Sequence, residues 1–105
     1  MELVEFKQIL ERAGLPVAYR GFPASACPDM PFITYRETGT DNFGADGIVY
    51  AEIRQIQVDL FTKNKEVNTE KRLEAVFEAA SIFWDKENED DDDERCHIVT
   101  YETEI

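Results

Sequence analysis

The sequence predicts an α+β fold, in which a mostly antiparallel sheet of four to five strands has two helices packed on it. Two segments space their apolar residues three and four apart, as an amphipathic helix does. Several other segments alternate apolar and polar residues, which is typical of half-buried strands. The chain of 105 residues has the size of one domain, so we predict a single domain over residues 1–105.

The first helix is predicted over Glu2–Ala13, where the apolar residues repeat at helical spacing. Gly14 is a natural residue to end this helix, and Pro16 prevents its continuation. The pattern then predicts a short strand over Val17–Arg20. The prolines of Gly21–Pro31 predict a loop, because proline lacks the amide proton that helices and sheets use.

The next strand is predicted over Phe32–Glu37, which carries aromatic residues on both faces. The connection Thr38–Gly47 is rich in glycine, aspartate and asparagine. It ends in the pair Asp46-Gly47, which favours a tight turn. We therefore expect an antiparallel hairpin of Phe32–Thr38 with Ile48–Ile53.

Phe43 is an apolar residue inside this polar connection. It either tucks back as a local anchor or forms an exposed contact for another subunit. The connection lacks both the GxxxxGK[ST] pattern of a phosphate loop and the acidic spacing of an EF-hand. Its glycines therefore indicate turn geometry rather than a ligand site.

The segment Ile48–Thr62 is the longest strand-like stretch of the chain. Its apolar residues hold odd positions up to Ile53 and even positions from Ile56 onward. One extra residue between the two halves would return them to a single buried face, so we predict a β-bulge or sharp bend near Arg54–Gln55. A straight strand of this length would span about 50 Å, which is longer than strands usually are. The segment therefore either bends around the core or projects at one end as a hairpin arm.

The second helix is predicted over Thr69–Ala80, with Asn68 or Thr69 as its cap. Two further strands are predicted over Ser81–Asp85 and Cys96–Ile105. These elements together predict one hydrophobic core. Its predicted members are Leu3, Phe6, Leu10, Ile33, Tyr35, Ile53, Ile56, Val58, Leu60, Leu73, Val76, Phe77, Val99 and Tyr101.

The segment Glu87–Glu94 lies between those last two strands, and seven of its eight residues are acidic. Like charges repel one another, so we interpret it as a solvated, mobile hairpin loop. The functional alternative is an acidic hairpin tip that contacts a basic partner or lines a channel. Adjacent carboxylates cannot all turn inward without a shaped loop, so the segment predicts no specific metal site.

The net charge of −12 excludes DNA binding by phosphate neutralisation and disfavours anionic membranes. It fits a basic partner, or a surface that repels nucleic acid. The sequence shows neither a membrane-spanning apolar run nor a signal-peptide pattern, so we expect a soluble protein made in the cytoplasm. Free thiols at Cys27 and Cys96 are then favoured over a disulfide.

No constellation of catalytic residues emerges from the sequence. It holds one histidine, His97, and none of the patterns CxxC, GxSxG or HExxH. Nothing points to an activating base for Cys27, and Cys96 and His97 would face opposite sides of a strand. We therefore expect no enzyme activity, no catalytic residue, no cofactor and no metal.

The order of the elements and four stretches of sequence resemble a known protein family. The stretches are GLPVAYRGFP, PFITYRE, DNFGADGIVY and IQVDLFTKNKE. Over nearly its whole length the chain resembles small prophage proteins of Gram-positive bacteria, encoded among head-to-tail joining and tail genes. It is similar in size and layout to the tail terminator (tail completion) proteins of long-tailed phages. That family has no catalytic signature, so no functional residue is carried over.

The resemblance implies a structural protein of the virion, at the head–tail junction, made in the cytoplasm of the bacterial host. It implies a homo-oligomer, a hexameric ring that caps the tail tube and meets head connector proteins, without sequence-specific nucleic acid binding and without a membrane. Such a ring needs a heterologous interface, for which an over-long strand and an acidic hairpin are suitable parts. An acidic lumen would also let DNA pass without sticking. The candidate interface residues are Phe43, Arg54, Gln55, Glu89, Asp90, Asp91, Asp92 and Asp93.

A second class of function remains open, an acidic protein that mimics DNA and occupies a DNA-binding protein of the host. The charge is compatible with it. A mimic, however, should spread carboxylates at phosphate-like spacing, whereas much of the excess here is concentrated in one run. Binding to basic host nucleases or restriction proteins would discriminate the two classes.

Overall fold

The computed structural model describes residues 1–45, 47–93 and 95–105, and of residues 43, 45, 50 and 51 it describes the backbone alone. The chain has the α+β fold that the sequence predicts. Helix α1 spans Leu3–Glu11 and helix α2 spans Val67–Ala79. The strands are β1 (Val17–Tyr19), β2 (Phe32–Thr40), β3 (Phe43–Ala45), β4 (Ile48–Ala51), β5 (Arg54–Thr62), β6 (Trp84–Asp91) and β7 (Cys96–Glu104).

Five of these strands form one sheet, in the order β1-β2-β5-β7-β6. β1 runs parallel to β2, and the other neighbouring pairs are antiparallel. β5 lies at the centre, where its residues alternate between buried and half-buried. This alternation shows that one face of the sheet is covered more completely than the other. β3 and β4 form a separate two-stranded sheet, which we call the arm.

Both helices pack on one face of the five-stranded sheet. Phe6 of α1 stacks on Phe77 of α2 with 6.4 Å between ring centroids, and Tyr101 of β7 meets Phe77 edge-on at 5.6 Å. Burial of such apolar side chains is the dominant stabilising contribution. The core cluster comprises Phe6, Ile9, Leu10, Ala13, Ile33, Tyr35, Ile56, Val58, Leu60, Leu73, Phe77, Ile82, Val99 and Tyr101.

Three residues of the predicted core are not among the buried residues of this cluster. Leu3 and Val76 are partly buried and pack against its margin. Ile53 is half-buried and lies in the connection that precedes β5. Its apolar side chain follows the alternation of the strand before it, which leaves the main sheet.

The predicted hairpin of Phe32–Thr38 with Ile48–Ile53 is wrong. β2 pairs instead with β5, and Ile48–Ala51 pairs with β3 inside the arm. The long segment Ile48–Thr62 is therefore two strands, and its first half leaves the main sheet as a hairpin arm, which is one of the two predicted outcomes. The prediction relied on the turn signal directly before Ile48. In the structure β2 pairs with β5, with which it shares a longer run of apolar residues.

The irregularity predicted near Arg54–Gln55 is present, but the extra residue lies on the partner strand. The register between β2 and β5 shifts between Glu37 and Gly39, so Thr38 is the additional residue. Its hydroxyl donates to the Gln55 carbonyl oxygen at 3.3 Å. The chain also leaves strand geometry just before β5 begins, which accounts for the change in apolar parity.

Helix α2 begins earlier than predicted, at Val67 after the N-cap residue Glu66. Capping by Asn68 or Thr69 is therefore a wrong prediction, because both residues lie inside the first helical turn. No side chain caps the helix at Glu66. The Thr69 hydroxyl instead donates to the Glu66 carboxylate at 3.2 Å.

β6 runs through the acidic segment for which the sequence predicts a mobile loop. That prediction is wrong for the first five of its eight residues, since Glu87–Asp91 is strand, and Glu94 lies outside the described residues. The strand begins at Trp84 rather than at Ser81 and pairs with β7 over its whole length. Alternation places its charges on two faces of the sheet, which lowers their mutual repulsion. The turn after Asp91 forms the hairpin tip.

Candidate interaction surface

Helices α1 and α2 both pack on one face of the five-stranded sheet, and we call the opposite face the open face. Strand pairing assigns residues to it, because side chains paired across neighbouring strands lie on the same side of a sheet. One row crosses four strands, from Arg36 through Gln57 and Glu102 to Asp85. The residues that alternate with this row face the helices.

Carboxylates dominate the part of the open face that β6 and β7 form. Asp85, Glu87 and Glu89 alternate along β6. Glu102 and Glu104 do the same along β7. Alternate residues of a strand are about 6.8 Å apart, and neighbouring strands are about 4.8 Å apart. Within the described ranges none of these five carboxylates forms an ion pair or a side-chain hydrogen bond, so they make an array of unpaired negative charge.

The other half of the open face carries aromatic rings that pack against one another. Phe32 of β2 stacks on Phe61 of β5 with 4.8 Å between ring centroids. Phe22, from the loop that precedes β2, meets Phe32 edge-on at 5.3 Å. These rings shield one another from water, so the acidic half is the part of this face that is left available.

A concavity lies over the acidic half. Its larger part, of about 400 Å³, is lined by Asp85, Glu102 and Glu104 together with Gln55 and Gln57. A smaller part of about 80 Å³ shares Asp85 and Glu102 with it and continues along β6. We call the two parts together the groove.

Phe83 lines the groove and has 76% of its surface exposed. It directly precedes β6, beside a core in which Phe77 and Tyr101 are fully buried. A large aromatic side chain is normally placed in the interior or against a partner. The groove therefore combines carboxylates with an exposed ring.

The outer edge of β6 is the longer of the two edges of the main sheet. β6 has eight residues and β1, at the opposite edge, has three. In the part of the chain that the structure describes, β6 pairs with β7 alone. A free strand edge presents backbone N–H and C=O groups to which another extended chain can bond.

The carboxylates between α2 and the sheet are paired, unlike those of the open face. Glu70 has 2% of its side chain exposed, and its Oε1 lies 2.8 Å from Lys65 Nζ and 3.2 Å from Lys86 Nζ. Lys86 Nζ also lies 2.8 Å from Glu74 Oε2. The same oxygen accepts a hydrogen bond from the Tyr101 hydroxyl at 2.7 Å.

These contacts shift the ionisation of three groups. Burial raises the pKa of Glu70, but the hydrogen bonds and charges of Lys65 and Lys86 outweigh it and hold that pKa below its usual value of 4.5. The hydrogen bond to Glu74 raises the pKa of Lys86 above 10.5 despite partial burial. Burial, helped by the hydrogen bond to Glu74, raises the pKa of Tyr101 well above 10.0.

A second set of contacts extends this network to the far end of β6. The Asn88 side-chain oxygen accepts a hydrogen bond from Lys65 Nζ at 2.7 Å and lies 3.1 Å from His97 Nε2. His97 Nδ1 lies 2.6 Å from Asp90 Oδ1. The network therefore ties the start of α2 to the helix-facing side of β6 and holds the edge strand in place.

Two of the predicted interface residues lie next to one another at the start of β5 but have different surroundings. Arg54 forms ion pairs within the subunit, at 3.3 Å to Glu37, 3.6 Å to Glu2 and 3.5 Å to Glu52. Gln55 lies on the open face and lines the groove. Arg54 is therefore held by ion pairs within the subunit, whereas Gln55 belongs to the candidate surface.

The acidic candidates are distributed over three places. Glu89 is on the open face, and Asp90 is on the opposite side of β6, against His97. Asp91 ends β6, and the backbone N–H of Asp93 donates to its Oδ1 at 3.1 Å. Asp92 lies with Asp93 in the turn. The side chain of the remaining candidate, Phe43, lies outside the described part of the chain.

Phe83, Asp85, Glu102 and Glu104 line the groove but are absent from the predicted interface set. The sequence signal for three of them is alternation, since acids recur at every second position in DKENED and in YETE. On paired strands this pattern places carboxylates in one face. Phe83 carries no such signal, because its exposure depends on where β6 begins.

No protein-family model matches the chain, and no curated protein matches it. Among the described side chains, no group of three or more His, Cys, Asp or Glu residues is arranged to hold a metal ion. The helices α1 and α2 both fall short of the length and apolar character needed to cross a membrane. The Cys27 side chain is exposed and the Cys96 side chain is buried.

Proposed function

We infer that the protein is a structural subunit of a phage virion, a tail terminator or head–tail joining protein that forms a ring at the end of the tail tube. The observation that carries this proposal is the incomplete burial of the subunit's own sheet. One face lacks a helix, and the longer edge lacks a neighbouring strand among the described residues. A subunit that completes its burial in an assembly leaves such surfaces, and the resemblance to tail terminators supplies the kind of assembly.

The arm supports the same proposal. β3 and β4 pair with each other in a sheet of their own. Two adjacent apolar residues of β4, Ile48 and Val49, have 57% and 58% of their surfaces exposed. A two-stranded hairpin is only marginally stable by itself in water. Contact with a neighbouring subunit would cover these residues and stabilise the arm, as a heterologous ring interface requires.

The assembly is tested by adding the purified protein to polymerising tail-tube protein and following tube length and tube ends by electron microscopy. The proposal predicts shorter tubes whose ends carry a ring, and a hexamer mass for that ring. Tubes of unchanged length without rings would contradict it. Light scattering of the protein alone at two salt concentrations follows ring formation, because salt screens the repulsion between subunits of charge −12.

A matched pair of glycine variants separates the arm from the fold. At Gly44 an added Cβ would lie 2.4 Å from the Ile48 carbonyl oxygen, so Gly44→Ala forces the strands of the arm apart. At Gly39 in β2 the nearest atom, Gln55 Oε1, is 3.6 Å away, an ordinary contact. We expect Gly44→Ala to abolish ring formation while the main sheet keeps its circular dichroism spectrum. We expect Gly39→Ala to assemble normally, and equal assembly of both variants would remove the arm from the interface.

A second candidate function, DNA mimicry, is favoured by one observation. The acids that are continuous in sequence divide between two faces, and those of the open face repeat at about 6.8 Å along a strand. Each DNA strand carries one phosphate per about 3.4 Å of helix axis, so the array has a comparable charge spacing at every second phosphate. A mimic would bind basic nucleases or restriction proteins and be displaced by duplex DNA. Failure to compete with DNA would exclude this function.

A further inference from the structure

We propose that the groove on the open face is a docking site for an extended, arginine-bearing segment of a partner protein, which adds to the free edge of β6. This inference names the chemistry of a partner, and it rests on the proposed function only for the view that the protein acts in an assembly. Three features of the described residues carry it: the unpaired carboxylates, the exposed ring of Phe83 and the free strand edge.

The charge of the groove selects a basic occupant. Asp85, Glu102 and Glu104 line the larger part of the groove and form no ion pair with a described residue, whereas Glu70 and Glu74 beneath α2 each pair with a lysine. Placing three unpaired acids in one concavity costs electrostatic free energy through mutual repulsion. A bound cation relieves that repulsion and forms charge-assisted hydrogen bonds.

The ring of Phe83 selects a guanidinium over a compact ammonium. The planar guanidinium stacks on an aromatic face while it donates to carboxylates in its own plane. Phe83, with 76% of its surface exposed, lines the same cavity as Asp85 and Glu102. A surface that only repelled DNA in a channel would need the charge alone and would gain nothing from an exposed phenyl ring.

The edge of β6 selects an extended backbone. A partner strand beside β6 would place every second side chain over the open face, next to Asp85, Glu87 and Glu89. A second copy of this chain is disfavoured there, because two β6 strands would bring like charges directly opposite one another. The opposite edge, β1, offers only three residues.

The test is the affinity for a fluorescent peptide in which arginine alternates with threonine, measured by anisotropy. Its comparison peptides carry lysine or glutamate in place of arginine. We expect the arginine peptide to bind most tightly, the lysine peptide more weakly and the glutamate peptide not at all. Equal binding of arginine and lysine peptides, or no binding of either, would overturn the proposal.

Matched variants separate the groove from the overall charge. Asp85→Asn with Glu102→Gln removes two charges from the groove, and Glu11→Gln with Glu78→Gln removes two exposed charges from the helix side. We expect the first pair to weaken the arginine peptide about tenfold and the second less than about twofold. Equal weakening by both pairs would show that net charge alone is responsible, which would overturn the proposal.

The role of the ring and of the strand edge has its own readouts. Phe83→Ala is expected to weaken the arginine peptide about threefold, while Val4→Ala, at a position with 71% exposure on α1, leaves it unchanged. Hydrogen exchange of β6 amides is expected to slow when the arginine peptide binds. Unchanged exchange in β6 would contradict strand addition. Peptide binding without rings on tail tubes would refute only the proposed assembly, and rings without peptide binding would refute only this inference.

Discussion

The two faces of the main sheet use carboxylates in opposite ways. Beneath α2, Glu70 and Glu74 are largely removed from water, and lysines hold both at 2.8 Å. On the open face, Asp85 and Glu102 are exposed, lie beside other acids and form no ion pair among the described residues. The first arrangement fixes a helix and an edge strand, whereas the second leaves charge available for an external partner.

Strand β6 contributes side chains to both faces. β6 alternates, so Lys86 faces Glu70 and Glu74 while its neighbours Asp85 and Glu87 face the groove. Side chains on the covered side form the contacts that fix β6 to α2, and β6 in turn positions the side chains on the open side. We therefore expect substitutions on the covered side to change stability and substitutions on the open side to change binding.

The largest effect is expected from Lys86→Met, which leaves Glu74 without its lysine and Glu70 with Lys65 alone. Removing one partner of a buried ion pair strands the other charge, so the free energy of unfolding should fall by about 2 to 3 kcal/mol in urea denaturation. Lys71→Met, at an exposed position of α2, is the matched control and should change it by less than about 0.5 kcal/mol. A loss no greater than that of the control would contradict a stabilising network.

A smaller effect on stability is expected from pH. Stability should fall both when the pH is lowered far enough and when it is raised far enough, and different groups cause the two losses. The lowered pKa of Glu70 contributes stability above pH 4.5 that is lost as the pH falls through the lowered value. The raised pKa values of Lys86 and Tyr101 contribute stability below pH 10.0 that is lost as the pH rises beyond it.

Thermal unfolding across the pH range measures both limbs. The variant Glu70→Gln should lose less stability than the wild-type protein as the pH falls, and it should keep the loss of stability at high pH that comes from Tyr101. Acid limbs of equal depth in the wild-type protein and in this variant would show that other carboxylates govern the acid transition.

The smallest effect on stability is expected on the open face. Asp85→Asn with Glu102→Gln removes charges that repel their neighbours and have no ion-pair partner in the described part of the chain, so the Tm should change by less than about 3 °C and upward rather than downward. Calorimetry at low and high salt checks this, since any gain should shrink as salt screens the repulsion. A marked loss of Tm would mean that the open face stabilises the fold and would remove the contrast with Lys86.

The sequence predicted the fold class because apolar periodicity is local and strong in α1, α2, β2, β5 and β7. It misplaced the hairpin because the turn signal before Ile48 is also local, whereas β4 pairs with β3 in the arm rather than with β2 in the main sheet. Asp46 lies outside the described residues, and Gly47, with a φ of 77°, adopts the conformation that such a turn favours. The pairing of β2 with β5 spans the whole arm, and no short-range pattern reports it.

The candidate surface was predictable only in part. The acidic run indicated a place of high charge, but composition alone predicted a loop where the structure has the strand residues Glu87–Asp91. Its pairing with β7 sorts the acids between a network around His97 and the groove beside Glu102. That sorting depends on the register with β7, in which the buried residues Tyr101 and Val99 lie opposite Lys86 and Asn88.

The most direct measurement of the central claim is a nuclear magnetic resonance titration of the labelled protein with the arginine–threonine peptide. We expect shifts in Phe83, Asp85, Glu102 and the β6 backbone, while the signals of Glu70 and Leu73 on the covered side stay unchanged. Shifts on the helix-covered side instead, or none on the open face at saturating peptide, would contradict the division of labour between the two faces.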